Sequence, residues 1–195
     1  MQRTIFVDKD KCVGCYSCIV ACKLEHHLPP YPVHPPLGNP KGPELIRVYQ
    51  VGPQIRDDEV HQYFQPISCM HCLDAPCIRA CPRSAIYKDI GAGITLVNED
   101  NCIGCKSCLG VCPYGAPQFY DDKLNLCDLC IHILGERRRE GRHTACEAAC
   151  PARAIHVGTT DEIYAMVGKK AAERAGKEKM AKLEQEREIG NGFRI

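Results

Sequence analysis

The sequence predicts a small, loop-rich α+β fold of two modules with a C-terminal helix. Three observations carry that expectation. The 195 residues include 16 cysteines, about 8% of the chain, a density at which sulfur chemistry begins to organise a fold. The cysteines are clustered rather than scattered. Short alternating segments flank the clusters, and a charged helical pattern follows the last of them. The hydrophobic fraction is 45% with cysteine counted and about 37% without it. That is thin for an ordinary core of this length, so something besides side-chain burial must hold the chain together.

The cysteines form four groups of four. The first is Cys12, Cys15, Cys18 and Cys22; the second is Cys69, Cys72, Cys77 and Cys81. The third is Cys102, Cys105, Cys108 and Cys112; the fourth is Cys127, Cys130, Cys146 and Cys150. Groups one and three read C-x2-C-x2-C-x3-C, group two C-x2-C-x4-C-x3-C, and group four C-x2-C-x15-C-x3-C. A proline follows the last cysteine of three groups (Pro82, Pro113, Pro151), and Lys23 stands there in the first.

Three chemistries compete for such spacing. Disulfides suit an exported chain, and cysteines so close in a tight loop rarely bridge because their side chains diverge. A structural zinc-binding module fits group four alone, since zinc takes two C-x2-4-C knuckles. It leaves unexplained three cysteines within seven residues, twice. Iron–sulfur clusters explain all four groups, because C-x2-C-x2-C-x3-C-P is the bacterial ferredoxin run. Cysteines at i, i+3 and i+6 wrap three corners of a cubane, and loop N–H groups stabilise its sulfurs. The fourth cysteine is expected to open a short helix directed toward the other cluster, with proline in its first turn. Gly14 and Gly104 are expected to let the backbone approach the cluster closely. Sixteen cysteines thus predict four [4Fe–4S] clusters with none left over.

The elements follow in chain order. Residues 3–8 alternate and predict a strand ahead of group one. Residues 29–43 hold seven prolines, which predict an extended polyproline-like connection to a strand at 44–51, or an arm lying on a partner. Residues 85–87 and 94–97 flank Gly91-Ala92-Gly93 and predict a hairpin. Residues 154–157 predict a closing strand after group four. Groups two and three therefore form one inserted module at 66–120. Groups one and four form the other, from 1–65 and 121–158. Each is expected to be a ferredoxin-like unit holding two clusters. Residues 159–195 are a helical tail: positions 169–189 carry seven Lys/Arg and five Asp/Glu, with Glu173/Lys177 and Glu178/Lys182 spaced as i,i+4 pairs. Its apolar stripe is weak, which predicts a solvated helix or one lying across another protein.

Other chemistries lack their motifs. The formal charge of +1 argues against a dedicated nucleic-acid binder. No run of 18 apolar residues predicts a membrane span. The N-terminal residues show neither an apolar signal region nor a twin-arginine pair, which predicts a cytoplasmic chain. Gly91-Ala92-Gly93 lacks the third glycine and the strand-then-helix setting of a dinucleotide site. Arg137-Arg138-Arg139 suits an exposed loop or an acidic partner face. His71, between Cys69 and Cys72, is expected to tune its cluster by hydrogen bonding or simply to pack, not to ligate. His26 and His27 are expected at the surface.

The segments Cys12-Val-Gly-Cys-Tyr-Ser-Cys-Ile-Val-Ala-Cys22, Cys69-Met-His-Cys-Leu-Asp-Ala-Pro-Cys-Ile-Arg-Ala-Cys-Pro82 and Cys102-Ile-Gly-Cys-Lys-Ser-Cys-Leu-Gly-Val-Cys-Pro-Tyr-Gly115 resemble one family. It is the four-cluster electron-transfer subunit of molybdenum or tungsten pterin oxidoreductases, of dimethyl-sulfoxide-reductase, formate dehydrogenase or aldehyde oxidoreductase type. The resemblance covers residues 1–158, and Lys23 is usual there. It implies a non-catalytic subunit of anaerobic metabolism. It also implies a large pterin-bearing catalytic partner and a second redox subunit or carrier, whether flavin, quinone-linked or ferredoxin. Four ligand sets follow from it: Cys12, Cys15, Cys18 and Cys150; Cys22, Cys127, Cys130 and Cys146; Cys69, Cys72, Cys77 and Cys112; and Cys81, Cys102, Cys105 and Cys108. Every family cysteine is present, so no three-iron cluster is expected. Aldehyde or formate is the expected substrate of the complex. A free polyferredoxin, or a hydrogenase- or carbon-monoxide-dehydrogenase-linked ferredoxin subunit, is the alternative function. Some relatives are exported folded beside a signal-bearing partner, which is the alternative to a cytoplasmic site.

Overall fold

Alternation at Arg3–Val7 forms strand β1, and Ile155–Thr159 forms β8. The two pair antiparallel, with Val7 opposite Ile155 and Arg3 opposite Thr159. The beginning of the described chain is thereby zipped to the segment behind group four. Ile5 and Ile155 turn inward from this ribbon. The computed structural model describes residues 2–29, 42–132 and 144–191. Most of the proline-rich stretch and the Arg137–Arg139 run lie outside these described residues.

Three more two-stranded antiparallel ribbons complete the sheets among the described residues. Strands β2 (Ile46–Arg56) and β3 (Glu59–Ser68) form a long hairpin. The expected strand at 44–51 is only its first half. The turn is Asp57-Asp58, both left-handed at φ 52° and 62°, the backbone of a two-residue primed turn. Strands β4 (Ile86–Asp89) and β5 (Ile94–Val97) make the expected hairpin across Gly91-Ala92-Gly93. Strands β6 (Gln118–Tyr120) and β7 (Lys123–Asn125) make a second unpredicted hairpin. Its turn, Asp121-Asp122, is again left-handed at both positions.

Helix α1 is Ser17–Glu25, α2 Pro76–Arg79, α3 Ser107–Val111 and α4 Ala145–Ala148. Here the expectation fails: each helix starts one residue before the third cysteine of its group instead of at the fourth. Cys112 is the C-cap of α3, and Cys81 and Cys150 follow the C-caps of α2 and α4. The prolines after these cysteines therefore act as stops, since proline cannot continue a helix. Lys23 imposes no stop, and α1 runs on past Cys22.

Helix α1 packs on α4, and α2 on α3. The larger apolar cluster joins Ile5, Leu45, Ile46, Ile94, Leu129 and Ile155 to Cys18, Cys22 and Cys146. The smaller joins Ile86 and Leu124 to Cys108. Sulfur is thus part of each core. The long helix α5 (Thr160–Asn191) starts on a capping box. The Glu162 N–H donates to Thr159 Oγ1 at 3.3 Å, and the Thr159 N–H to Glu162 Oε2 at 2.8 Å. Its first four turns reach the body, as far as Arg174 on Asp10; from Ala171 to Lys182 every residue is exposed. Among the described residues, no helix is long and apolar enough to cross a membrane.

Candidate metal centres

All sixteen cysteines are free thiols. Loops one and three are built alike. Gly14 and Gly104 both adopt φ +66°, and Tyr16 and Lys106 adopt φ 60° and 63° at the helix N-caps. The Cys15 and Cys105 sulfurs each lie 3.4 Å from the hydroxyl two residues on, Ser17 and Ser107. That hydroxyl and the backbone beside it pull both thiols below the ordinary value. A Cβ on Gly14 would strike the Phe64 ring, and one on Gly104 the Asp122 carbonyl. The close approach these glycines allow is thus to the β2–β3 and β6–β7 hairpins that cover the loops.

The fourth cysteines share a device of their own. In C-P-R-S-A, C-P-Y-G-A and C-P-A-R-A, the alanine N–H donates back to the cysteine sulfur. The distances are 3.2 Å for Ala85 to Cys81, 3.4 Å for Ala116 to Cys112 and 3.2 Å for Ala154 to Cys150. The residue before each alanine (Ser84, Gly115, Arg153) is left-handed, which aims that N–H at sulfur. All three alanines are buried. Sequence reading missed this threefold C-P-x-x-A repeat, though alanine four residues after the cysteine was its visible signal. Two lysines brace the loops: Lys88 Nζ donates to the carbonyls of His71 and Cys72 at 2.8 Å. Lys123 Nζ donates to those of Glu99 and Cys102 at 3.0 and 2.9 Å.

Cys12, Cys15, Cys18 and Cys150 line one small cavity, beside Gly14 and Val48. Cys81, Cys102, Cys105 and Cys108 line another, beside Ile86 and Phe119. In each, three cysteines come from one loop and the fourth from the partner group. Burial pushes Cys22 up, and Cys127, Cys146 and Cys130 add repulsion, so these four sulfurs share a field. Burial also raises Cys77, with Cys112 the largest neighbouring charge. Mainly through burial, Cys18 and Cys108 are pushed up to about 11, and Cys69, Cys130 and Cys146 to about 12. Thiols that resist ionisation and yet converge in fours suit a metal, which binds the thiolate and supplies the compensating positive charge. Buried donors near them fit as well: Thr95 Oγ1 and His71 Nε2 have no hydrogen-bond partner among the described residues, and the Ser68 hydroxyl bonds Cys127.

Of two histidines beside the cysteines, one is compatible with the packing expected of it and one departs from expectation. His71 is completely buried. His26 is no surface residue: its side chain is 15% exposed, with Nε2 3.4 Å from Asp128 Oδ1. The same nitrogen lies 3.8 Å from Cys130 Sγ. His132 joins this group, with Nδ1 3.0 Å from Asp128 Oδ2.

Comparison with known proteins agrees with this sulfur architecture. A family model described as a 4Fe-4S dicluster domain matches residues 60–160, and a second with the same description matches 4–82. One chain of the anaerobic dimethyl sulfoxide reductase of Escherichia coli (strain K12) is 35% identical over 180 residues, covering 88% of this chain and 80% of that protein. One subunit of the sulfite dehydrogenase of Allochromatium vinosum is 34% identical over 185 residues, covering 90% and 76%. The thiosulfate reductase electron transfer subunit PhsB of Salmonella typhi is 31% identical over 176 residues, covering 89% and 85%. The chain belongs to the 4Fe-4S dicluster family of iron–sulfur electron-transfer subunits of molybdopterin oxidoreductases. It is a non-catalytic subunit, and its cofactors are four [4Fe–4S] clusters.

Proposed function

We propose that this subunit carries electrons singly between a large pterin-bearing molybdenum or tungsten catalytic subunit and a second redox partner. When bound, each cubane alternates between two oxidation states and so supplies a one-electron site. The chain's own residues hold these sites, cover them and set their surroundings. Cys12, Cys15, Cys18 and Cys150 hold one cluster; Cys22, Cys127, Cys130 and Cys146 hold its neighbour. Cys69, Cys72, Cys77 and Cys112 hold the third; Cys81, Cys102, Cys105 and Cys108 hold the fourth. The observation that carries the assignment is the pair of cavities, each lined by one complete set. The mutual repulsion of Cys22 with Cys127, Cys130 and Cys146, and of Cys77 with Cys112, supports the other two.

The same crossing divides the chain into a module of 1–65 with 121–158, closed by β1 on β8, and an inserted module of 66–120. Phe64 on the β2–β3 hairpin packs against Gly14 of the first loop, and Asp122 on the β6–β7 turn against Gly104 of the third. Cluster-ligating thiolates, with Cys15 and Cys105 exposed, suit a reducing compartment, the cytoplasm.

Replacing Cys150 by Ser tests the ligand sets. The variant is expected to damage the cluster of the N-terminal loop and to leave Cys127, Cys130 and Cys146 loaded. Iron and sulfide analysis with electron paramagnetic resonance reads the result. Loss of the group-four cluster alone would overturn the crossing. Co-purification is expected to recover a large pterin-containing subunit, and assays of that complex with sulfoxide, thiosulfate, formate and aldehyde identify its substrate. A chain that elutes alone from native material is a free carrier instead.

A further inference from the structure

His71 stands where groups two and four meet. It is a left-handed residue, φ 46°, between Cys69 and Cys72. Its backbone N–H donates to Cys69 Sγ at 3.4 Å. Its carbonyl accepts from Gln2 Nε2 at 2.9 Å and from Lys88 Nζ at 2.8 Å. The ring Nδ1 accepts the Thr95 N–H at 3.0 Å. A neutral imidazole whose Nδ1 accepts carries its proton on Nε2. Nε2–H is thus a fully buried donor, and among the described residues no protein atom accepts from it. Native interiors rarely leave such a donor empty.

The surroundings indicate what accepts. The ring lies in the field of Asp128, which follows Cys127. Cys69 in turn feels the charge of Cys127. Ser68, whose hydroxyl bonds Cys127, and Thr95, whose N–H meets the ring and whose Oγ1 has no partner among the described residues, flank the same junction. His71 cannot serve as a metal ligand in this tautomer, because Nε2 is protonated and the Nδ1 lone pair is engaged by Thr95.

We propose that His71 Nε2–H donates a hydrogen bond to a sulfur of the cluster at this junction, and so sets the potential of the site where one module faces the other. The inference rests on the four-cluster reading above. A donor to sulfur stabilises the more negative, reduced state, so it raises the potential.

The test uses the holo complex labelled with 15N-histidine, reduced, and measured by pulsed electron paramagnetic resonance. One imidazole 15N coupling on one reduced cluster is expected, and it disappears in His71→Leu. In that variant the reduction equilibrium of the same cluster shifts about tenfold toward the oxidised state, about 59 mV for a one-electron couple. The other three clusters keep their potentials. No coupling in wild-type protein carrying four clusters overturns the inference and leaves the electron-transfer reading intact. Absence of the clusters overturns that reading instead. Coupling that survives in His71→Leu comes from another histidine, such as His26 beside Cys130, and also overturns the inference. If His71→Leu loses its clusters, His26→Asn decides: the coupling persists if it comes from His71 and vanishes if it comes from His26.

Discussion

Lys170 of α5 pairs with Asp8, the residue after β1, and Asp8 is only 4% exposed. The same carboxylate side of the loop takes Arg174, 2.7 Å from Asp10 Oδ2. The long helix is thereby tied to the segment that leads into the first cysteine loop. The Asp8 carbonyl also accepts the Cys12 N–H at 3.2 Å, so helix and loop share one anchor.

Burial works against ionisation of Asp8, but the Lys170 ammonium and the Asp10 N–H outweigh it and hold the carboxyl below its ordinary value. A depressed carboxyl stabilises the folded state fully above its unfolded pKa, about 3.9, and loses that contribution as pH falls through the folded value. Lys170→Met is expected to cost on the order of 1–2 kcal/mol, because the partner is buried while the lysine is partly solvated. Hydrogen exchange should quicken in residues 3–8 and 160–166. Asp8→Asn added to Lys170→Met should recover most of the loss. If the single variant exchanges like wild type above pH 5, the pair is not an anchor.

Gly14→Ala is expected to cost about 1–2 kcal/mol for a side chain in left-handed backbone, before any shift of Phe64. The cluster of the first loop should then bleach faster in air, read as loss of visible absorbance. Gly110→Ala is the matched control: it lies in α3 with open space at its Cβ, and helix propensity favours alanine there. Equal bleaching in the two variants would show that Gly14 is not under steric constraint.

Iron removal should unfold both cores. Cys18, Cys22 and Cys146 belong to one apolar cluster and Cys108 to the other, and ligand binding in such a thin core is folding free energy. Chelation under reducing conditions is expected to abolish amide chemical-shift dispersion in the β1–β8 ribbon. Retained dispersion with no iron bound would contradict this.

The cysteine groups were legible because ligand spacing is local and survives any error in the surrounding elements. The β1 and β8 segments were legible for a similar reason: alternation marks a strand without its partner. What was missed depended on context. The two Asp-Asp turns carry no glycine, so Asp57-Asp58 and Asp121-Asp122 hid the hairpins that cover the loops. Proline after cysteine reads as a helix start, yet Cys112, a C-cap with Pro113 beyond it, marks a helix end. The capping box Thr159–Glu162 was present in the letters at the head of the expected helical tail and went unread. His26 was misplaced because its burial comes from Asp128 and His132, more than a hundred residues away.

The pairing of Val7 with Ile155 has a consequence for biosynthesis. During translation β1 emerges early and waits, unzipped, while the whole middle of the chain is made. On the proposed ligand sets, the thiols from Cys69 to Cys112 are all in place while the chain is nascent, whereas Cys12, Cys15 and Cys18 wait for Cys150, made just ahead of β8.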